Sequence, residues 1–231
     1  MDDQNCLKEA INISILKDVE VTIQDKILNN GIFLRVNKHT RSSKEQTNSV
    51  ALVLKGLFRM YYTDTSGKVI TVRYIGPGEF MGIPAMVGGP VELEVEALTD
   101  GQVYIINAKQ FKKICQNSVE LSWLIATILS KRLYTTLSEL VFSQCRSITE
   151  KLQYHLLQMA SILTKGEKNI KNIEIPLTQQ EVAECIGSSR EVVARSIKKL
   201  RNQGLLNADS EKIVISNINN FQINLTSISV L

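Results

Sequence analysis

Residues 177–204 read LTQQEVAECIGSSREVVARSIKKLRNQG. This stretch decides the fold, because it predicts two short helices joined by a tight turn. Thr178 followed three residues later by Glu181 is a capping box that starts a helix. Val182, Ala183 and Ile186 give that helix an apolar side. Gly187 stops it, since glycine enters the left-handed backbone region without steric cost. Ser188 or Ser189 can cap a second helix running to about Gly204. In that helix Val193, Ile197 and Leu200 recur at i, i+4 and i+7 and should face a core. Arg190, Glu191, Ala194 and Arg195 share a different side. Arg190, Arg195, Lys198, Lys199 and Arg201 are opposed only by Glu191. Two helices about a glycine turn, the second basic, form the helix-turn-helix pattern, whose second helix enters the major groove of DNA. Arginine matches the two acceptors of guanine, and glutamate accepts from the amino group of cytosine. A basic amphipathic helix taken alone is more often a solvated face, and Glu191, three residues after Ser188, could be only a cap. The two caps, the glycine turn and the Arg-Glu-x-x-x-Arg spacing together favour the DNA-reading alternative.

The segment resembles the recognition segment of the Crp/Fnr family of bacterial transcription regulators. The family's Ser-Arg-Glu-x-Val-x-Arg is present as Ser189, Arg190, Glu191, Val193 and Arg195. The resemblance extends upstream. Leu54-Lys55-Gly56 matches a strand-ending turn, and Pro77-Gly78-Glu79-Phe80-Met81-Gly82 matches the family's Pro-Gly-Asp/Glu-Phe-x-Gly segment in the effector-binding roll. Gly76, Gly78 and Gly82 also come close to a dinucleotide-binding fingerprint, but the last spacing is off by one and no crossover helix follows.

The rest of the chain fits a regulator with a local DNA-binding face. Its 231 residues suit one large domain or two small ones, and its 44% hydrophobic content supports a real core. The net charge of +4 makes a nucleic-acid site local, not global. No apolar run approaches the length of a membrane span. The N-terminus, MDDQNCLKEA, lacks the regions of a signal peptide, so a cytoplasmic protein is expected. Cys6, Cys115, Cys145 and Cys185 are scattered without a zinc spacing. A single cysteine near the start argues against the family's iron–sulfur mechanism. His39 and His155 lack ligand partners in sequence, so surface or packing roles are expected, and no metal or cofactor. No motif for a hydrolase, nucleotide triphosphatase or zinc protease is present, so the protein is not expected to be an enzyme.

From Gly31 to about Ala108, short β-branched or aromatic runs (VALVL, FRMYY, VITVRYI, VELEVEAL, QVYII) alternate with turn signals, which suggests an antiparallel roll. A helical lead-in precedes it. Glu92, Glu94 and Glu96 alternate along one strand and should form a solvated outer face, with Val91, Leu93, Val95 and Ala97 inward. Residues 118–143 predict one long helix with two stripes. One stripe carries Leu121, Leu124, Ile128 and Lys131. The other, Ala126, Leu129, Leu133, Thr136 and Leu140, has coiled-coil spacing and is assigned to the same helix of a second subunit. The alternative is one broad face buried in a monomer. Residues 146–164 predict a further helix with Ile148, Leu152, Leu156, Met159 and Leu163 inward. Ile173–Pro176 predicts a strand, and Leu205–Ser216 a hairpin wing.

The expected architecture is therefore α+β. It comprises a β-roll like a cyclic-nucleotide-binding domain (residues 1–116), a central dimerisation helix (117–144) and a winged helix-turn-helix (145–231). The resemblance implies a homodimeric activator that binds palindromic double-stranded DNA with TGTGA-like half-sites and works with RNA polymerase. It implies that Arg190, Glu191 and Arg195 read bases, and that Thr178 and Ser189 meet phosphates. Relatives that bind cyclic AMP carry Gly-Glu-Leu and a later Arg-Ser. Here Gly82 is followed by Ile83 and Pro84, and the later pair aligns with Val91 and Glu92. A cyclic phosphate facing valine and a carboxylate would lack a charge partner, so cyclic AMP is not the expected ligand. Thr136 does match a family threonine that contacts the base. A largely apolar pocket is expected from Val72, Ile83, Val91, Leu93 and Ile128, with Gly82, Tyr74, Thr136 and Lys131 beside them. It suits a small organic effector, with Lys131 to hold an anionic group, similar to the family branch that senses halogenated phenols. The alternative is a regulator without a ligand, or one controlled by thiol oxidation at Cys115, Cys145 or Cys185.

Overall fold

A computed structural model describes residues 3–42, 48–67, 69–87, 93–164 and 170–221, with the side chains of residue 85 and of 141–145 left aside. The chain opens with helix α1 (Asp3–Ile13), a 3-10 turn (Ile15–Asp18) and helix α2 (Val21–Leu28). Strands β1 (Gly31–Val36), β2 (Ser49–Lys55), β3 (Phe58–Thr63), β4 (Val69–Ile75), β5 (Phe80–Met81), β6 (Glu94–Ala97) and β7 (Gly101–Asn107) follow, with a 3-10 turn at Ile83–Met86. Helices α3 (Ala108–Gln116), α4 (Val119–Cys145) and α5 (Ile148–Leu163) come next. The C-terminal part holds β8 (Lys171–Ile175), α6 (Gln179–Cys185), α7 (Arg190–Asn202), β9 (Leu206–Ala208), β10 (Ile213–Asn217) and α8 (Ile218–Phe221). By internal contacts the chain divides into two units, residues 1–60 with 75–132, and residues 61–74 with 133–231.

The first unit is built on the sheet β1-β7-β2-β5. Its centre is the run VALVL in β2, apolar at every position because both faces are covered. Val50, Leu52 and Leu54 enter one core with α1 and with Leu121 and Ile125 of α4, while Ala51 and Val53 enter a second with Phe58, Ile75 and Ala97. Tyr104 and Ile106 of β7 join the first core and Val103 the second. Period-two alternation thus sorts a uniformly apolar sequence between two cores. Strand β1, GIFLRV, was not among the predicted runs. It is the edge strand, paired antiparallel with β7, and Ile32 and Leu34 are exposed. Gly82 adopts φ 80°, and a Cβ there would stand 2.2 Å from the Ser49 carbonyl oxygen. Only glycine lets this loop close against β2.

The glutamate strand departs from expectation. Glu96 is not on a solvated face. It is buried, and its Oε2 accepts from Arg59 Nε at 2.7 Å, with an Arg59 guanidinium nitrogen at 2.5 Å. Arg59 is buried as well, while Arg41 and His39 approach the other oxygen at 3.5 and 3.9 Å. A guanidinium on β3, beside β6 in the sheet β4-β3-β6, makes the burial tolerable. Glu94 is partly buried, Val91 and Glu92 lie outside the described residues, and Ala97 is buried as expected.

In the second unit, Ser147 and Glu150 form a reciprocal capping box that starts α5. Leu152, Leu156 and Met159 are fully buried, but Ile148 and Leu163, expected inward, are about a third exposed because they occupy the first and last positions of the helix. The C-terminal sheet has the order β8-β10-β9, so the predicted wing hairpin is extended by the predicted strand before the helix-turn-helix. Phe221 of α8 is fully buried.

Candidate nucleic-acid interface

Helix α6 begins as its sequence dictates. Glu181 N–H donates to Thr178 Oγ1 at 3.2 Å, and Thr178 N–H donates to Glu181 Oε2 at 2.6 Å. Gly187 closes the helix at φ 63°, and Ser188 N–H returns to the Ala183 carbonyl at 2.9 Å. Of the two candidate serines, Ser189 is the cap of α7, its Oγ accepting from Val192 N–H at 3.4 Å. Glu191 is therefore not at the third helical position that a reciprocal cap would use. Its side chain is exposed.

Val193, Ser196, Ile197 and Leu200 are buried along one side of α7. Ser196 is the polar member, and it receives a hydrogen bond from Thr149 Oγ1 of α5 at 3.1 Å. Arg190, Glu191, Arg195, Lys198, Lys199 and Arg201 are all exposed. Helical geometry sets Glu191, Arg195 and Lys198 opposite the buried stripe, with Arg190 and the half-buried Ala194 on its flank. Ser189 is exposed and Thr178 partly buried. An Arg201 guanidinium N–H donates to the Ala208 carbonyl, pinning the helix end to the wing. At the wing tip the Asp209 carboxylate accepts from the backbone N–H groups of Glu211 and Lys212, which holds its pKa below the usual carboxylate range.

The residues expected to line an effector pocket are divided between the units. Gly82, Ile83, Leu93, Ile128 and Lys131 belong to the first, while Val72, Tyr74 and Thr136 belong to the second; Val91 lies outside the described residues. Ile83 is part of the main core of the first unit. Tyr74 is buried in the second unit, its hydroxyl 2.9 Å from His155 Nδ1 on α5. That contact, with no local sequence signal, is what sequence reasoning missed. Arg132 of α4 donates to the Phe80 carbonyl at 2.8 Å.

Along α4 the stripe assigned to a partner subunit is open. Leu129, Leu133 and Leu140 are 41%, 60% and 58% exposed, and Ala126 and Thr136 are exposed too. Leu137, Trp123 and Val119 add to it at 50%, 71% and 89%. Leu121, on the other stripe, is fully buried. Cys6 and Cys185 are buried, and burial pushes the Cys115 thiol up to about 11; the Cys145 side chain lies outside the described set. A protonated thiol is a poor nucleophile, as Cys115 is here, and the Cys185 thiol is buried. Among the described residues, no cluster of His, Cys, Asp or Glu could hold a metal ion, and no helix is long and apolar enough to cross a membrane.

A roll sheet, a long helix and a winged helix-turn-helix with an exposed basic second helix define the class: a DNA-binding transcription regulator with a sensor domain. Comparison with known proteins agrees. Residues 41–118 match the cyclic nucleotide-binding domain and residues 150–222 the Crp-like helix-turn-helix domain. The chain belongs to the Crp/Fnr family, a family of transcription regulators and not of enzymes. It is 25% identical over 173 residues to the cAMP-activated global transcriptional regulator CRP of Haemophilus influenzae, covering 74% of this chain and 77% of that one. Among solved structures, the c-di-GMP-responsive global regulator CLP of Xanthomonas campestris has the same fold, with a TM-score of 0.70, 20% identity, and 86% and 100% of the two chains covered. So does a CRP/FNR-family transcriptional regulator of Thermus thermophilus, with a TM-score of 0.66, 21% identity, and 82% and 96% covered.

Proposed function

We propose that this regulator binds, as a homodimer, an operator with two-fold related TGTGA-like half-sites, using Arg190, Glu191 and Arg195 to read bases and Thr178 and Ser189 to meet phosphates. The observation that carries the reading is the two-sidedness of α7, with an apolar stripe buried and the Arg-Glu-x-x-x-Arg set exposed. Two such helices in a symmetric pair address half-sites about 34 Å apart. The open stripe on α4 supplies the pairing surface, and Ala126, Leu129, Leu133, Thr136 and Leu140 are its proposed contacts. Members of the family are dimeric, and an activator working through RNA polymerase fits the same reading, in the cytoplasm.

The effector is proposed to be a small molecule other than cyclic AMP. Ile83 and Pro84 stand where nucleotide-binding relatives carry Glu-Leu, and the Arg59 guanidinium is already engaged by Glu96. Its proposed site keeps the expected residues that share the first unit, Gly82, Leu93 and Ile128, with the exposed Lys131 as the cation for an acidic group.

Two experiments test these statements. Arg190→Ala should cost about 1–3 kcal/mol of specific binding and relax one base position in an operator selection; an unchanged consensus would refute base reading. Calorimetric titration with cyclic AMP should give no heat of binding, and micromolar affinity would overturn the effector proposal.

A further inference from the structure

Residues 61–74, the outer part of the β3–β4 hairpin, belong by contacts to the DNA-binding unit, although the backbone on either side continues into the sensor roll. Contacts at both ends of β4 link it to that unit. At one end, the Tyr74 hydroxyl lies 2.9 Å from His155 Nδ1, with the rings edge to face and their centroids 5.7 Å apart. At the other end, a methyl group on Gly187 would stand 3.2 Å from the Val69 carbonyl oxygen. Gly187 is the residue of the α6–α7 turn. A single strand therefore touches both α5 and the turn that sets the entry of the recognition helix.

His155 is held on both flanks. Tyr154, edge-on to it at 6.1 Å, donates its hydroxyl to Glu139 of α4 at 2.9 Å, and Gln158 donates to the same carboxylate oxygen at 2.6 Å. Helix α5 is tied onward to α7 by the Thr149–Ser196 hydrogen bond. Burial, helped by nearby Lys151, keeps the imidazole neutral, so it offers one donor and one acceptor nitrogen.

The geometry points to a latch: β4, seated on His155 through Tyr74 and against Gly187 through Val69, regulates operator binding by holding the α6–α7 turn in the posture that presents α7. This rests on the base-reading role of α7 proposed above. The hairpin is continuous with the roll's backbone at Met60 and Ile75. With the latch closed, Arg190, Glu191 and Arg195 are all exposed, and this closed form is taken as the one DNA selects. Linkage then requires operator binding to tighten the latch as much as the latch favours the operator.

Hydrogen exchange of the full chain, with and without a selected operator duplex, tests this. In the unaltered protein the operator should raise amide protection across residues 61–74 severalfold. Tyr74→Phe removes one hydrogen bond. Operator affinity should then fall roughly fivefold, and the operator-induced protection of the hairpin should shrink. Operator binding that leaves hairpin exchange unchanged in the unaltered protein overturns the latch, whether or not the variant folds. Wild-type operator affinity in a folded Tyr74→Phe does the same and leaves base reading by α7 standing. An unaltered consensus in Arg190→Ala overturns base reading and the latch with it.

Discussion

At the scale of single residues, burial chemistry divides this chain into side chains that must stay neutral and side chains that must stay paired. His155 is the first kind. Burial, then Lys151, lowers its pKa from the usual 6.5 to about 4. The unfolded chain takes up a proton below about 6.5 and the folded one does not, so the contribution is complete above that pH and is lost as pH falls toward 4. The slope is about 1.4 kcal/mol per pH unit. Urea unfolding at pH 7 and pH 5 should show His155→Gln losing roughly 2 kcal/mol less stability than the unaltered protein over that interval. Glu96 is the second kind. Truncation to alanine takes the carboxylate from the buried Arg59 and should cost about 3–5 kcal/mol, whereas Arg59→Met with Glu96→Leu should recover most of it. Denaturant midpoints of the single and double variants distinguish the two cases. Sequence reasoning sent Glu96 outward because alternation alone cannot say which face of a strand meets a guanidinium from its neighbour.

At the scale of elements, the helix-turn-helix was legible almost in full. Thr178, Glu181, Gly187 and Ser189 act within a few residues of one another, so local physics fixes α6, the turn and the start of α7. Thr178→Ala should lower stability by about 1 kcal/mol, read by thermal unfolding, because two backbone N–H groups lose partners or support. The strands were legible as runs, not as neighbours. β2 could be found from VALVL, but its placement between β7 and β5 could not, because pairing links residues about fifty positions away in β7 and about thirty in β5. The edge strand β1 escaped because its exposed Ile32 and Leu34 give it no buried alternation to signal.

At the scale of the whole molecule, the open stripe on α4 is the feature a single chain leaves unresolved. Leu133→Glu with Leu140→Glu places charges in the proposed seam and should convert a dimer to a monomer in sedimentation velocity. Operator affinity should fall as the second recognition helix is lost. A dimer that survives both substitutions would move the seam elsewhere. By itself the sequence determined the long α4, α5, the helix-turn-helix with its caps, the two-sided α7 and the membership of a regulator family, because capping, periodicity and side-chain chemistry operate over a few residues. Only the tertiary structure decided that Glu96 is paired inside the roll, that Tyr74 meets His155 and is not in one unit with Lys131, and that β4 lies against the recognition turn. Those contacts join residues 37, 81 and 118 positions apart (96 − 59, 155 − 74, 187 − 69). Packing brings such residues together through the burial of the intervening chain, and no local pattern records it.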